Sequence, residues 1–247
     1  MAARLRLMPD RSLRPGRHRL RVASYNIHRA LGFNRRQDAQ RIGAVIAELD
    51  ADIVGLQAVD WHQDTGASPL GQLTRLPGYE AAAAPNICRQ RGEYGNLLLS
   101  RGGVDAVRRI DLTVAGWEAR GAIDADLRIG GRRLRVVVTH FGLRMRERWD
   151  QAARLRRLLT EPPERPAILL GDFNDWLPGS PSLQPLLRCC AAGRRAARFP
   201  AVRPVFALDR IFVYRLPVPA GNRVHASPLA RHASDHLPVV AEVELPD

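Results

Sequence analysis

Asn26 and His28 stand two apart at the end of the apolar run 20–27, and Asp172 and Asn174 repeat that spacing in Gly171-Asp-Phe-Asn-Asp175, directly after Ala167-Ile-Leu-Leu170. In an extended chain residues two apart share a face, so each pair should present two polar groups on one side. His140 closes the run Val136-Val-Val-Thr139, Asp209 opens the run 208–214, and Asp235-His236 precedes the run 237–245. Carboxylates, amides and imidazoles at the mouths of several apolar strands are costly to bury unless they converge on a metal, a phosphate or one another. Singly, each reads as a turn residue or a cap. Jointly they point to one site.

The elements that must position these residues follow from periodicity. Strands are expected at 20–27, 52–57, 94–100, 122–129, 133–139, 167–170, 208–214 and 237–245, with Gly pairs at 102–103 and 130–131 marking turns. Ile42, Val45, Ile46 and Leu49 recur at helical spacing, and Asn34 with Gln37 resembles a capping box in front of them. A second helix is expected over 144–159, where Met145, Trp149, Ala152, Leu155 and Leu159 fall on one face and read as a core stripe; Pro162, Pro163 and Pro166 end it. Mixed in this order, strands and helices predict an α/β chain whose sheets are partly antiparallel. Residues 1–18 carry Arg4, Arg6, Arg11, Arg14 and Arg17 with Pro9, Pro15 and Gly16, and read as a basic, disordered arm before a single domain over 19–247.

The chain has 247 residues and a net charge of +13, and all of its basic residues are Arg. An excess of that size suggests a polyanionic partner, whether nucleic acid, an anionic membrane surface or a phosphorylated substrate. Aromatic residues are only 6% of the chain, which argues against a stacking platform for single strands. No apolar run approaches the roughly 20 residues that span a bilayer, and the Arg-rich start lacks the apolar stretch of a secretory signal. Three cysteines, two of them adjacent at 189 and 190, do not make a disulfide framework or a zinc site. A monomer in a reducing, cytoplasmic setting is expected, with peripheral contact on anionic membrane allowed by the charge.

Seven short motifs in order then resemble the endonuclease/exonuclease/phosphatase superfamily, the DNase I-like group: Ser24-Tyr-Asn-Ile-His28, Asp52-Ile-Val-Gly-Leu-Gln-Ala-Val-Asp60, Tyr94-Gly-Asn-Leu-Leu-Leu-Ser-Arg101, Thr139-His140, Gly171-Asp-Phe-Asn174, Leu208-Asp-Arg-Ile-Phe-Val213 and Ser234-Asp-His236. The segments beginning at Asn26, His140 and Gly171 look most like small bacterial members of uncertain substrate. The resemblance implies a four-layer α/β/β/α sandwich, two packed mixed β-sheets flanked by helices, with the active site at one edge. It also implies metal-assisted phosphodiester hydrolysis. In that scheme His236 is the general base and Asp209 orients it. Asp172, Asn174, His140 and Asn26 surround the phosphoryl group, and Asp235 lies close to Mg²⁺ or Mn²⁺. Asn96 and Arg120 are weaker candidates for phosphate contact.

One departure stands out. Where the family carries a metal-binding Glu after the Gln of its second motif, this chain has Ala58, and a methyl group has no lone pair to offer a cation. Asp60 follows on the same face of a regular strand, roughly 6–7 Å along it. The expected function is therefore a metal-dependent phosphodiesterase acting on nucleic acid or a phospholipid head group, impaired at position 58. The alternative is a non-catalytic basic module that holds a phosphorylated ligand, nucleic acid or anionic membrane.

Overall fold

A computed structural model describes residues 19–61, 68–89 and 92–245; the basic segment expected as an arm lies outside the described residues. The first sheet has the strand order β11-β12-β1-β2-β4-β3. Its members are β1 (Arg19–Asn26), β2 (Ile53–Trp61), β3 (Glu80–Arg89), β4 (Gly92–Ser100), β11 (Ala220–Val224) and β12 (Val239–Glu244). The second has the order β5-β6-β7-β8-β10-β9. It is built from β5 (Gly103–Asp111), β6 (Gly121–Ile129), β7 (Arg132–His140), β8 (Ala167–Asp172), β9 (Ala191–Ala192) and β10 (Asp209–Tyr214). Each sheet is antiparallel except for one parallel pair, β1 with β2 and β7 with β8. Parallel neighbours need a crossover, and these are supplied by α1 (Ala39–Leu49) and α3 (Met145–Thr160). Three shorter helices, α2 (Pro69–Leu73), α4 (Gln184–Leu187) and α5 (Pro228–Ala233), complete the outer layers.

Alternation along the strands sorts the apolar residues into layers. In β7, Val136 and Val138 pack between the sheets, whereas Val137 joins Leu155 and Leu159 of α3 on the outer face. In β2, Ile53 faces the other sheet, while Val54 and Leu56 meet Ile42, Val45 and Ile46 of α1. Two faces and two sheets give the four-layer α/β/β/α sandwich. The layers are close: a Cβ at Gly55 of β2 would stand 1.8 Å from Leu170 Cδ1 of β8, so only glycine fits where the sheets meet near the site.

Two local expectations need correction. Helix α1 begins after Asp38, whose carboxylate accepts the Arg41 amide, so Asp38 is the cap; Asn34 instead accepts the Arg36 amide in the preceding turn. In α3 the core stripe covers only Ala152, Leu155 and Leu159. Met145 and Trp149 are exposed, because the first turns bury Glu147, Arg148 and Gln151 instead.

Candidate active site

Strand register assembles the site before any side chain is considered. In the second sheet His140 pairs with Asp172 and Asp172 with Asp209, so the ends of β7, β8 and β10 set three ionisable residues in one row. In the first sheet Asn26 pairs with Gln57. Leu56 then pairs with Leu97 and Val59 with Gly95, which leaves Gln57 and Ala58 together opposite Asn96. That two-against-one count is a β-bulge, and Ala58 takes it in the left-handed region at φ 59°. The bulge breaks the regular alternation on which the shared face of Ala58 and Asp60 was expected. Asp60 turns to Arg29, 3.7 Å away. The two rows are joined across the sandwich by Asn26, whose Nδ2 donates to Asp172 Oδ2 at 2.9 Å.

The two pairs spaced by two do repeat a geometry, though not as strand neighbours. Strand β1 ends at Asn26 and β8 at Asp172, and His28 and Asn174 both have positive φ, 45° and 50°. The His28 amide donates to Asn26 Oδ1 at 3.0 Å, and the Asn174 amide donates to Asp172 Oδ1 at 2.9 Å. These are side-chain-to-backbone turns of the Asx kind, and each fixes the residue that starts it. His28 is consequently turned away, half exposed, with Nδ1 at 3.4 Å from Asp235 Oδ1. Asn174 stays buried and donates from Nδ2 to the Phe141 carbonyl at 2.8 Å.

His236 closes the cleft. Its Nδ1 lies 3.1 Å from Asp209 Oδ2 and its Nε2 lies 3.7 Å from Asp172 Oδ2. His140 approaches the same Asp172 oxygen with Nε2 at 3.6 Å. Burial works against charge on both rings, with opposite outcomes. At His140 burial dominates, aided by the Arg120 and His236 charges against the pull of Asp172, and the pKa falls to about 3, leaving a neutral ring. At His236 burial is outweighed by Asp209, Asp172 and Asp235, and the pKa rises to about 9. At neutral pH His236 is thus an imidazolium held between two carboxylates, and its basic form grows in above that pH.

Asn96 is fully buried and donates from Nδ2 to the Gly121 carbonyl at 3.0 Å, bracing the start of β6. Arg120 is also buried and reaches Glu118 Oε2 at 3.2 Å, with its Nε lacking a hydrogen-bond partner. Two neighbours have no role in the sequence reading. Ser234 Oγ donates to the Asn26 carbonyl at 2.8 Å and accepts the His236 amide at 3.3 Å, so it ties the histidine to β1. Its signal is its place in the motif Ser234-Asp-His236. Arg198 is wholly buried and donates from Nη1 to the Asp209 carbonyl; among so many arginines nothing in the sequence marked it.

Asp172, Asp209 and His236 each offer an atom within 4.8 Å of the others, a spacing that could hold a metal ion. Asp209 Oδ1 and Asn96 Oδ1 are buried acceptors without a hydrogen-bond partner. An oxygen-rich donor set of this kind fits a hard divalent cation. Ala58 is buried and adds no donor.

The profile of the Endonuclease/Exonuclease/phosphatase family matches residues 23–236, a span that contains all the site residues named above. The chain belongs to the endonuclease/exonuclease/phosphatase family. The uncharacterized protein YbhP of Escherichia coli K12 is 31% identical over 260 residues, covering 96% of this chain and all of that protein. An endonuclease/exonuclease/phosphatase structure from Bacteroides vulgatus superposes with a TM-score of 0.77 at 22% identity, covering 92% of this chain and 99% of that one. The mannosyl-6-phosphatase Bt3783 of Bacteroides thetaiotaomicron gives a TM-score of 0.70 at 20% identity, covering 92% and 100%. At such identities the likeness of the structures is one of fold, and it is the sandwich described here. Family membership points to a hydrolase of the phosphodiesterase or phosphatase type. Among the described residues no helix is long and apolar enough to cross a membrane.

Proposed function

We propose that the chain hydrolyses phosphodiesters with a water activated by His236, assisted by a divalent cation that it holds weakly. The observation that carries this reading is the 3.7 Å gap between His236 Nε2 and Asp172 Oδ2, with Asp209 behind the imidazole at 3.1 Å. A water beside this pair, within hydrogen-bond reach of both atoms, can pass its proton to Nε2 while its oxygen attacks phosphorus, and Asp209 stabilises the imidazolium that results. Asn26 and Asn174 each spend one hydrogen of the amide on the protein and keep one for a phosphoryl oxygen, and neutral His140 offers its Nε2 hydrogen. We assign Asp172, a carboxylate that accepts from Asn26 and faces both histidines, to position the nucleophile.

Mg²⁺ or Mn²⁺, when bound, would neutralise charge on the phosphoryl oxygens. We assign Asn26 and Asp235 to hold it rather than the Asp172, Asp209 and His236 set, so that the His236–Asp209 hydrogen bond stays intact. With Ala58 in place of a carboxylate, coordination number and charge both fall, so affinity should be low. The competing reading, a module that binds a phosphorylated ligand without turnover, rests mainly on Ala58. Ala58→Glu separates the two. The substitution asks nothing new of the backbone, since alanine already bears the left-handed φ. Under the enzymatic reading it raises Mg²⁺- or Mn²⁺-dependent hydrolysis of an aryl phosphodiester by about tenfold or more at subsaturating metal. No gain across a metal titration would favour the binding module.

A further inference from the structure

Three loops that bring polar residues to the site also carry an exposed apolar side chain two or three positions away. Trp117 precedes Arg120, Leu143 follows His140, and Trp176 follows Asn174. Helix α3 continues the surface with Met145 and Trp149, one turn apart and both exposed. The pieces are joined. The Arg144 guanidinium lies over the Trp117 ring at 5.5 Å, and that of Arg148 lies over the Trp176 ring at 5.0 Å while donating to the Leu143 carbonyl at 2.6 Å. Five large apolar side chains therefore rim one side of the cleft, laced with arginines.

Exposed apolar groups so gathered mark a surface that meets something apolar. Leu143 and Met145 are the most exposed of the five, at 61% and 54%, and neither can stack on a base. Trp117 and Trp176 each already lie against a guanidinium, which leaves less free ring face than base stacking uses. A lipid surface suits the same chemistry better. Indole rings settle at the boundary between hydrocarbon and water, aliphatic side chains enter the hydrocarbon, and arginines complement anionic head groups. We propose that this rim docks the chain on an anionic phospholipid surface, so that a lipid phosphodiester head group is presented to the cleft. The second half of that statement rests on the hydrolytic reading above; the docking does not.

The test uses the full chain and vesicles of phosphatidylcholine, alone or mixed with phosphatidylglycerol, carrying brominated acyl chains. Three of the four tryptophans lie in the rim, so insertion is read directly as quenching of their fluorescence. Quenching by the anionic vesicles is expected, with a partition coefficient that falls about tenfold or more when Leu143→Ser and Met145→Ser are combined. Hydrolysis of a soluble aryl phosphodiester by that double variant should be unchanged, which also shows that it folds. Vesicle binding without quenching would assign the contact to basic charge elsewhere and overturn the proposal, as would tryptophan quenching by duplex DNA but not by vesicles at matched ionic strength. If insertion fails while the soluble diester is cleaved, the rim is refuted and the catalytic reading stands; insertion with no cleavage of any diester does the reverse.

Discussion

At the scale of single residues, the site is a set of opposed environments for chemically similar groups. His140 and His236 approach the same oxygen of Asp172, yet burial holds one neutral while neighbouring carboxylates charge the other. One ring is thus a neutral donor throughout the neutral range, while the other carries a proton that it gives up only near pH 9. Since His236, as the proposed base, must lose its proton before it can accept one from water, activity should rise with pH, reach half its limit near pH 9 and level off above that. Asp209→Asn removes one of the charges that raise this ring. Burial then weighs more, and the rising limb of the pH–rate profile should move to lower pH as kcat falls by about 10²-fold or more. A profile whose limb stays in place in the asparagine variant would mean that another group controls the reaction.

At the scale of elements, the site is made by strand ends and one bulge. The row His140, Asp172, Asp209 follows from register alone, so whatever fixes β7, β8 and β10 also fixes the chemistry. The bulge at Gln57 and Ala58 is one strained part, because a residue with a Cβ in the left-handed region costs about 1–2 kcal/mol. Ala58→Gly should therefore stabilise the fold by about 1 kcal/mol in denaturant titration, the relief of strain exceeding the added entropy of the unfolded chain. A destabilised glycine variant would show that the alanine methyl is a packing contact. The bulge also marks where the sequence was hard to read: Gln57-Ala-Val-Asp60 sets two apolar residues side by side, a break in alternation too small to announce an inserted residue. Strands β3, β5 and β11 went unread for a related reason. All three lie at sheet edges, where one side lacks a partner strand and the apolar pattern is weak, as in Glu80-Ala-Ala-Ala-Ala-Pro85. The central strands β1, β7, β8 and β10 were legible because both of their faces are buried. The polar residues at their ends stood out against that background, whereas Ser234 and Arg198 did not.

At the scale of the whole molecule, the cleft exists only where the two sheets meet. Asn26 comes from one and Asp172 from the other, and Ser234 ties the His236 loop back to β1. Catalytic geometry and global fold are thus one cooperative property, with α1 and α3 closing the parallel pairs on either side. The net charge of +13 and the apolar rim beside His140 and Asn174 are the features on which the proposed docking to an anionic lipid surface rests. The account as a whole turns on whether His236 moves the proton. The direct measurement is turnover of an aryl phosphodiester from pH 6 to pH 10 at one subsaturating concentration of Mn²⁺, for the parent chain, Ala58→Glu and His236→Ala. The account predicts turnover that climbs towards pH 9 in the parent and further in Ala58→Glu, with a loss of about 10²-fold or more and no rising limb in His236→Ala. An alanine variant that keeps the parent's rate and its limb, or no turnover in either the parent or Ala58→Glu, would contradict it.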